Sequence, residues 1–162
     1  MEVFELQGEY MRKMSDEEFY RFCRDNSDLR IERNANGEIE VMSPTGYLTG
    51  DLNSEINLQL RLWNKQNQLG RVLDSSAGFK LPDSAVRSPD AAFVSNKKDE
   101  DIDEALKKQF APVCPDFVIE LKSGSDTLNR LKSKMQEWIS NGCRLAWLID
   151  PVKEKVFIYR ED

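Results

Sequence analysis

The sequence predicts an α/β fold with a mixed central β-sheet flanked by helices, and three observations support this prediction. Residues 118–121 read VIEL and residues 145–149 read LAWLI, two short apolar runs that are typical of buried strands. Residues 128–139, between them, place apolar side chains at helical spacing. A buried strand, a helix and a second buried strand in this order indicate a βαβ crossover, which sets two parallel strands in one sheet.

The first part of the chain predicts a helix followed by a β-hairpin. Ser15 and Glu18 have the spacing of a capping box, and Phe19 begins an apolar stripe at helical spacing. Asn36-Gly37 stands between two partly alternating runs, which is the strongest short-range signal of a hairpin turn.

The middle of the chain predicts its longest helix and then several strands. From Leu48 to about Asn67, apolar residues at positions 48, 52, 56, 60 and 63 recur at roughly helical spacing, and Gly70 is a helix-stop signal. Strand-like pieces bounded by Pro, Gly, Ser and Asp follow this glycine. The highly charged stretch 95–112 predicts a surface helix or a mobile excursion.

The last part of the chain predicts the crossover helix and two closing strands. Ser125 or Asp126 is the predicted N-cap of the helix, which Asn141-Gly142 ends. Strands on either side of a turn at Asp150-Pro151 close the chain. A length of 162 residues suits one domain. We expect residues 1–45 to decorate the core with a helix and a hairpin, and residues 46–162 to form that core.

The composition excludes several classes of chemistry. The chain has no histidine. This excludes Ser-His-Asp and Cys-His hydrolysis, histidine-based zinc sites and histidine general bases together. An enzyme of this composition must use carboxylates, lysines or a bound metal. The formal net charge of −6 gives no global attraction to nucleic acid or to an anionic membrane, so a polyanionic substrate would need a local basic patch or a bound cation.

The same composition bears on where the protein acts. No stretch of the sequence has the uninterrupted apolar length of a membrane span, and the first residues lack the features of an export signal. Cys23, Cys114 and Cys143 are widely spaced and odd in number, which is typical of reduced thiols. We therefore expect a cytoplasmic protein that does not associate with membranes.

Two charged residues at the end of the run from 117 to 121 indicate a functional site. Glu120 and Lys122 project to the same face of a strand, while Leu121 points to the other face. Charged side chains in such an apolar run are rarely buried unless they are paired or functional. The alternative interpretation is an ion pair on a half-exposed strand, which contributes at most about 1 kcal/mol to stability.

A second acid would complete a metal site beside Glu120. Mg²⁺ needs two or more oxygen ligands brought close together. Asp90 lies on another predicted strand, and neighbouring strands only about 4.8 Å apart can place it beside Glu120. The main-chain carbonyl of Leu121 would add a third oxygen, and Lys122 would orient or deprotonate a water and offset charge in the transition state. Taken alone, Asp90 after a proline is more typical of a turn.

These motifs resemble those of a known family. Pro89-Asp90, then Glu120-Leu121-Lys122, then a helix, is similar to the pattern of the PD-(D/E)XK superfamily, the restriction-endonuclease-like fold. The wider runs RSPDAAFV, PDFVIELKSGSD, LKSKMQEWISNG and RLAWLIDP resemble the Uma-type family of bacterial, largely cyanobacterial, endonucleases. The resemblance extends from about Met14 to Tyr159 and implies a restriction-endonuclease-like core.

The resemblance also implies roles for particular residues. Asp90 and Glu120, with the carbonyl of Leu121, would bind Mg²⁺, for which Mn²⁺ can substitute, and Lys122 would be the catalytic lysine. Glu55 would be a catalytic acid on the first core helix, and Lys134 a phosphate contact. Taken alone, Glu55 and Lys134 are more typical of solvated helix residues.

The function predicted on these grounds is that of a Mg²⁺-dependent endonuclease, a hydrolase acting on phosphodiester bonds in DNA and working as a homodimer. A non-catalytic module of the same fold that binds nucleic acid or a protein partner is the main alternative. A metal-dependent phosphoesterase acting on small molecules is the second, and a narrow closed pocket would favour it.

Overall fold

The computed structural model describes residues 2–161, which form ten strands and five α-helices. The first half contains β1 (Val3–Leu6), α1 (Glu9–Arg12), α2 (Asp16–Asp25), β2 (Arg30–Arg33), β3 (Ile39–Met42) and α3 (Tyr47–Asn67). The second half contains β4 (Gly70–Asp74), β5 (Phe79–Lys80), β6 (Val86–Arg87), β7 (Ala91–Ser95), α4 (Asn96–Glu100), β8 (Phe117–Leu121), α5 (Leu128–Ser140), β9 (Leu145–Asp150) and β10 (Lys155–Arg160).

The strands form two five-stranded sheets. The N-terminal sheet has the order β1-β3-β2-β6-β5 and is antiparallel, and the central sheet has the order β10-β9-β8-β7-β4. Only β8 and β9 run parallel in the central sheet, and α5 connects them. This confirms the predicted α/β class with a mixed central sheet, and the βαβ crossover is where the apolar pattern placed it.

Helices cover the two faces of the central sheet. On one face, Val118 of β8 and Leu148 of β9 pack against Leu131, Met135 and Trp138 of α5. On the other face, side chains that alternate with these, such as Ile119, pack against Leu60 and Ile56 of α3. The middle strand β8 is buried on both sides, which explains why it reads as a nearly continuous apolar run.

Local signals near the N-terminus are confirmed. Ser15 caps α2 and forms a reciprocal capping box with Glu18. The turn containing Gly37, where φ is 79°, joins β2 and β3 into the predicted hairpin. Phe19 of α2 is fully buried against Ile31 and Ile39 of this hairpin. The region therefore has its own small core beside the central sheet.

The predicted extent of α3 is confirmed, but two residues do not have the predicted roles at helix ends. Gln68, in the left-handed conformation, follows the last residue of α3, while Gly70 already belongs to β4, where a Cβ would lie 2.1 Å from the carbonyl oxygen of Val94. Thr127 is the N-cap residue of α5, and Asp126 accepts hydrogen bonds from Ser123. In both cases a contact outside the helix determines the role of the residue.

The charged stretch 95–112 contains the short helix α4 and one 3-10 turn at Leu106–Lys108. Asp99 of α4 binds Arg71 of β4 through two hydrogen bonds of 3.0 Å, which fixes the stretch to the edge of the central sheet. Within residues 2–161, no helix is both long enough and apolar enough to cross a membrane.

Candidate active site

The central sheet brings Asp90 and Glu120 together. Strands β7 and β8 pair with Ala91 opposite Ile119, so Asp90, just before β7, lies beside Glu120. Oδ2 of Asp90 accepts a hydrogen bond of 2.8 Å from the backbone N–H of Leu121. Asp90 is 5% exposed and Glu120 is 4% exposed. Two carboxylates thirty positions apart in the sequence therefore share one buried location at the end of these strands.

The carbonyl of Leu121 faces the same location. Adjacent residues of a strand direct their backbone groups to opposite edges, and Lys122 donates its N–H to Ile149 of β9. Leu121 therefore directs its own N–H and C=O towards β7, where its N–H meets Asp90. By the same alternation, its carbonyl oxygen lies on the side of β7, where Asp90 is.

Helix α5 holds the carboxylate of Glu120 in place. Nζ of Lys134 lies 2.9 Å from Oε1 of Glu120, and Nε1 of Trp138 donates to the same oxygen at 3.2 Å. These two positions are one helical turn apart, so they present both donors on one face of α5. Lys134 also donates to Oε1 of Glu32 at 3.0 Å, and it is only 9% exposed.

The buried charges shift the pKa values of the two glutamates in opposite directions. Burial raises the pKa of Glu120 to about 6, and the nearby carboxylates of Asp90 and Glu32 add to this effect against the opposing charge of Lys134. Burial alone would also raise the pKa of Glu32, but Lys134 and Arg87 hold it down to about 2. The pKa of Lys134 is raised, because the two glutamates outweigh its burial. Glu120 is thus the more weakly compensated acid.

The N-terminal sheet also reaches the site through β2, where Arg30 and Glu32 project to the same face. Arg30 donates from Nη1 to Oδ1 of Asp90 at 3.3 Å and from Nη2 to the carbonyl of Ser88 at 2.6 Å. Glu32 is fully buried and accepts hydrogen bonds from Arg87 and from the N–H of Ser88. Neither Arg30 nor Glu32 was predicted as a site residue from the sequence. Their signal was alternating opposite charges in the strand LRIER, the same pattern that identified Glu120 and Lys122.

Lys122 lies at the mouth of the site. It is half-buried and follows the last residue of β8, where strand alternation directs its side chain to the same side as Glu120. Nζ of Lys122 donates to the carbonyl of Ser123 at 3.1 Å. A flexible ammonium held by one neutral acceptor can turn towards a phosphate or a water.

Helix α3 presents Asn57 to the site, and the structure does not bring Glu55 there. Nδ2 of Asn57 donates to the carbonyl of Asp90 at 2.9 Å. Glu55 lies two positions away, or about 200° around the helix. It is exposed, accepts a hydrogen bond from Gln59 and lines an apolar groove of ≈ 910 Å³ with Ile119 and Trp147. This groove opens on the face of the sheet opposite to Val118 and Glu120.

The acid pair provides few ligands, and these suit a hard divalent cation. Within the described range 2–161, no three Cys, Asp or Glu side chains are grouped so that they could hold a metal ion. Mg²⁺ commonly keeps several waters and binds one or two carboxylates. Two carboxylates and one carbonyl meet that need. In the described part of the chain, Oε2 of Glu120 makes no hydrogen bond, and Oδ1 of Asp90 receives only the long contact from Arg30.

Comparisons with known proteins point to one family. A family model described as "Uma2: Putative restriction endonuclease" matches residues 16–162. Among solved structures, the chain is similar to one from Anabaena variabilis ATCC 29413 described as "a putative nuclease belonging to DUF820", with a TM-score of 0.67. The two are 19% identical over 82% of this chain and 72% of that chain, so the likeness shows the fold. No curated protein matches the chain.

Proposed function

The chain belongs to the Uma2 family of restriction-endonuclease-like proteins, and on that premise we propose that it is a divalent-metal-dependent endonuclease that hydrolyses phosphodiester bonds in DNA. One observation carries the proposal: Asp90 lies at the end of β8, next to Glu120. There it accepts a hydrogen bond of 2.8 Å from the N–H of Leu121. This hydrogen bond supports the proposal, because it holds the carboxylate of Asp90 beside the backbone of Leu121.

The residues have separate roles in this proposal. Asp90, Glu120 and the carbonyl of Leu121 would hold Mg²⁺ or Mn²⁺. When bound, the ion would polarise the phosphate and lower the pKa of a water molecule. Lys122 donates a hydrogen bond that orients the attacking water and offsets the charge that develops on the phosphate oxygens. A new bond forms between the water oxygen and phosphorus while the bond from phosphorus to the ester oxygen breaks. The attacking water loses a proton to the solvent, and the ester oxygen takes up a proton from solvent water and leaves as an alcohol.

Buried neighbours keep the acids in the required arrangement. Lys134 and Trp138 both donate to Oε1 of Glu120, so the other oxygen of this carboxylate is turned away from α5. The N–H of Leu121 fixes Oδ2 of Asp90 in the same way. Groups that are positioned before the substrate arrives need no rearrangement during the reaction, which lowers the barrier.

DNA as substrate is supported by the description of the family and must be reconciled with the charge of the chain. A net charge of −6 weakens binding to DNA, because affinity grows with the number of phosphate contacts made. We propose that a homodimer doubles the number of such contacts and sets one site against each strand. Light scattering of the purified protein, alone and with duplex DNA, tests this assembly.

A plasmid-nicking assay tests the reaction. Supercoiled plasmid is incubated with Mg²⁺ or Mn²⁺ and with wild type, Glu120→Ala, Lys122→Ala or the exposed control Glu17→Ala. We expect wild type and the control to nick the plasmid, and the other two variants to be at least about 100-fold slower. Chelation of the metal should stop cleavage.

Other outcomes would decide against the proposal. Equal cleavage by all four proteins would identify a contaminating nuclease. A folded wild-type protein that binds DNA but does not cleave it with either metal would favour the non-catalytic binding module. Labelled single-stranded RNA in parallel reactions tests the nature of the nucleic acid, and faster cleavage of RNA would reject DNA as the substrate.

A further inference from the structure

Arg30 enters the site from the N-terminal sheet. Strand β2 runs antiparallel to β6 with Arg33 opposite Val86, so the start of β2 lies beside residues 88–90. From this position Nη2 of Arg30 donates to the carbonyl of Ser88 at 2.6 Å, and Nη1 lies 3.3 Å from Oδ1 of Asp90. The guanidinium is therefore anchored at one nitrogen and only loosely bound at the other.

The two oxygens of Asp90 differ in how firmly they are held. Oδ2 accepts the 2.8 Å hydrogen bond from Leu121. The contact of Oδ1 with Arg30 is 3.3 Å, longer than the roughly 2.7–2.9 Å of a good charge-assisted hydrogen bond. Oδ1 is thus the oxygen of Asp90 that another cation can take most easily. Arg30 would stay beside it, because the bond to Ser88 does not depend on Asp90.

Arg30 is also more exposed to solvent than Asp90. Its side chain is 22% exposed, against 6% for Asp90. It lines a groove of ≈ 550 Å³ that contains Asn53 and an adjacent groove of ≈ 510 Å³ that contains Ser75 and Ser88. Its Nε–H is buried and has no acceptor among the described residues. The guanidinium therefore connects the acid pair to the surface and has donor capacity left over.

We propose that Arg30 is a substrate-binding residue that holds Oδ1 of Asp90 until a divalent cation takes this oxygen, and that then donates to an oxygen of the phosphate group being cleaved. The inference rests on the proposed function, since it assumes a metal at Asp90 and a phosphodiester substrate. A guanidinium matches a phosphate by its shape as well as its charge. The exchange also keeps the charges in balance, because the guanidinium of Arg30, once displaced from Asp90, is paired with the anionic phosphate of the substrate.

A Mn²⁺ titration without nucleic acid tests the exchange directly, with free Mn²⁺ measured by electron paramagnetic resonance. Arg30→Met removes the competing cation, so we expect Mn²⁺ to bind about fivefold more tightly or better than in wild type. Arg71→Met is the matched control, because Arg71 forms an Arg–Asp pair with Asp99 at the sheet edge. Its Mn²⁺ affinity should stay within about twofold of wild type.

The direction of the change in Mn²⁺ affinity distinguishes a competing role of Arg30 from a structural one. If Arg30 only supported the position of Asp90, its loss would weaken Mn²⁺ binding. Unchanged or weaker binding by a folded Arg30→Met protein would therefore overturn the proposal. If this variant does not fold, Arg30→Lys replaces it. A lysine keeps the charge but cannot bridge Ser88 and Asp90, so we expect about twofold tighter Mn²⁺ binding, and unchanged or weaker binding again overturns the proposal.

Cleavage kinetics at saturating Mn²⁺ test the second half of the inference. Loss of the phosphate contact in Arg30→Met should raise KM for DNA about tenfold or lower kcat/KM equally, and Arg71→Met should not. Unchanged kinetics would overturn the phosphate role. A wild-type protein that binds Mn²⁺ but cleaves no nucleic acid would reject the proposed function, while the Mn²⁺ titration would still decide the exchange. A wild-type protein that binds no Mn²⁺ would reject both.

Discussion

Nζ of Lys134 lies 2.9 Å from Oε1 of Glu120, and both side chains are buried. The same ammonium donates to Glu32 on the N-terminal sheet. The resemblance implies a phosphate contact for Lys134, whereas its place between two glutamates indicates that it positions Glu120. Glu32, Lys134 and Glu120 thus form a chain of buried charges that connects the N-terminal sheet to the site.

Replacing Lys134 distinguishes these two roles. We expect Lys134→Met to lower kcat about 10- to 100-fold, because Glu120 loses a donor that fixes its orientation. The salt dependence of DNA binding should not change, whereas the loss of a phosphate contact would reduce its slope by about one unit. Binding titrations across a range of salt concentrations measure this slope. A reduced slope with normal kcat would instead support a direct contact between Lys134 and a phosphate.

Glu32 should make stability depend on pH in the acid range. Its pKa is lowered from 4.5 to about 2 in the folded protein, so its contribution is present above about pH 4.5 and is lost as the pH falls towards 2. Glu32→Gln should lower the free energy of unfolding at pH 7 on the order of 3 kcal/mol, because Arg87 and Lys134 lose a partner.

Urea unfolding at several pH values measures this effect. The difference in free energy of unfolding between wild type and Glu32→Gln should narrow as the pH falls below about 4.5. Glu32 of wild type then also becomes neutral. The exposed substitution Glu17→Gln is the control and should track wild type at every pH. A gap that stays constant down to pH 2 would show that folding does not shift the pKa of Glu32.

Helix α3 offers a direct comparison of two residues. We expect Asn57→Ala to lower cleavage about tenfold, because its amide supports the backbone at Asp90. Glu55→Gln should leave cleavage within about twofold of wild type, since Glu55 is exposed and turned about 200° away from the side of Asn57. Steady-state rates of plasmid nicking provide the measurement. The reverse order would support the role that the resemblance implies for Glu55.

Two glycines should respond to alanine with opposite signs. At Gly70 a Cβ would lie 2.1 Å from the carbonyl oxygen of Val94, so Gly70→Ala should destabilise the protein by about 2–4 kcal/mol. At Gly50, inside α3, a Cβ meets nothing within 4 Å, so Gly50→Ala should stabilise the protein by about 0.5–1 kcal/mol. Thermal unfolding compares the two. If Gly70→Ala left the stability unchanged, β4 and β7 could move apart at this position without loss of free energy.

The sequence by itself determined the elements that depend on neighbouring residues. Short-range patterns predict three of them: the capping box of Ser15 and Glu18, the hairpin turn at Gly37, and the crossover from β8 through α5 to β9. The pairing of Asp90 with Glu120 was also predictable, because both stand at the ends of predicted strands that can be neighbours in one sheet.

Only the tertiary structure decided which distant side chains support this pair. Arg30 meets Ser88 across 58 positions and Lys134 meets Glu32 across 102, and no periodicity in the sequence records such contacts. Patterns within one element specify its type and its apolar face, whereas the partner of a buried charge depends on how whole sheets and helices pack.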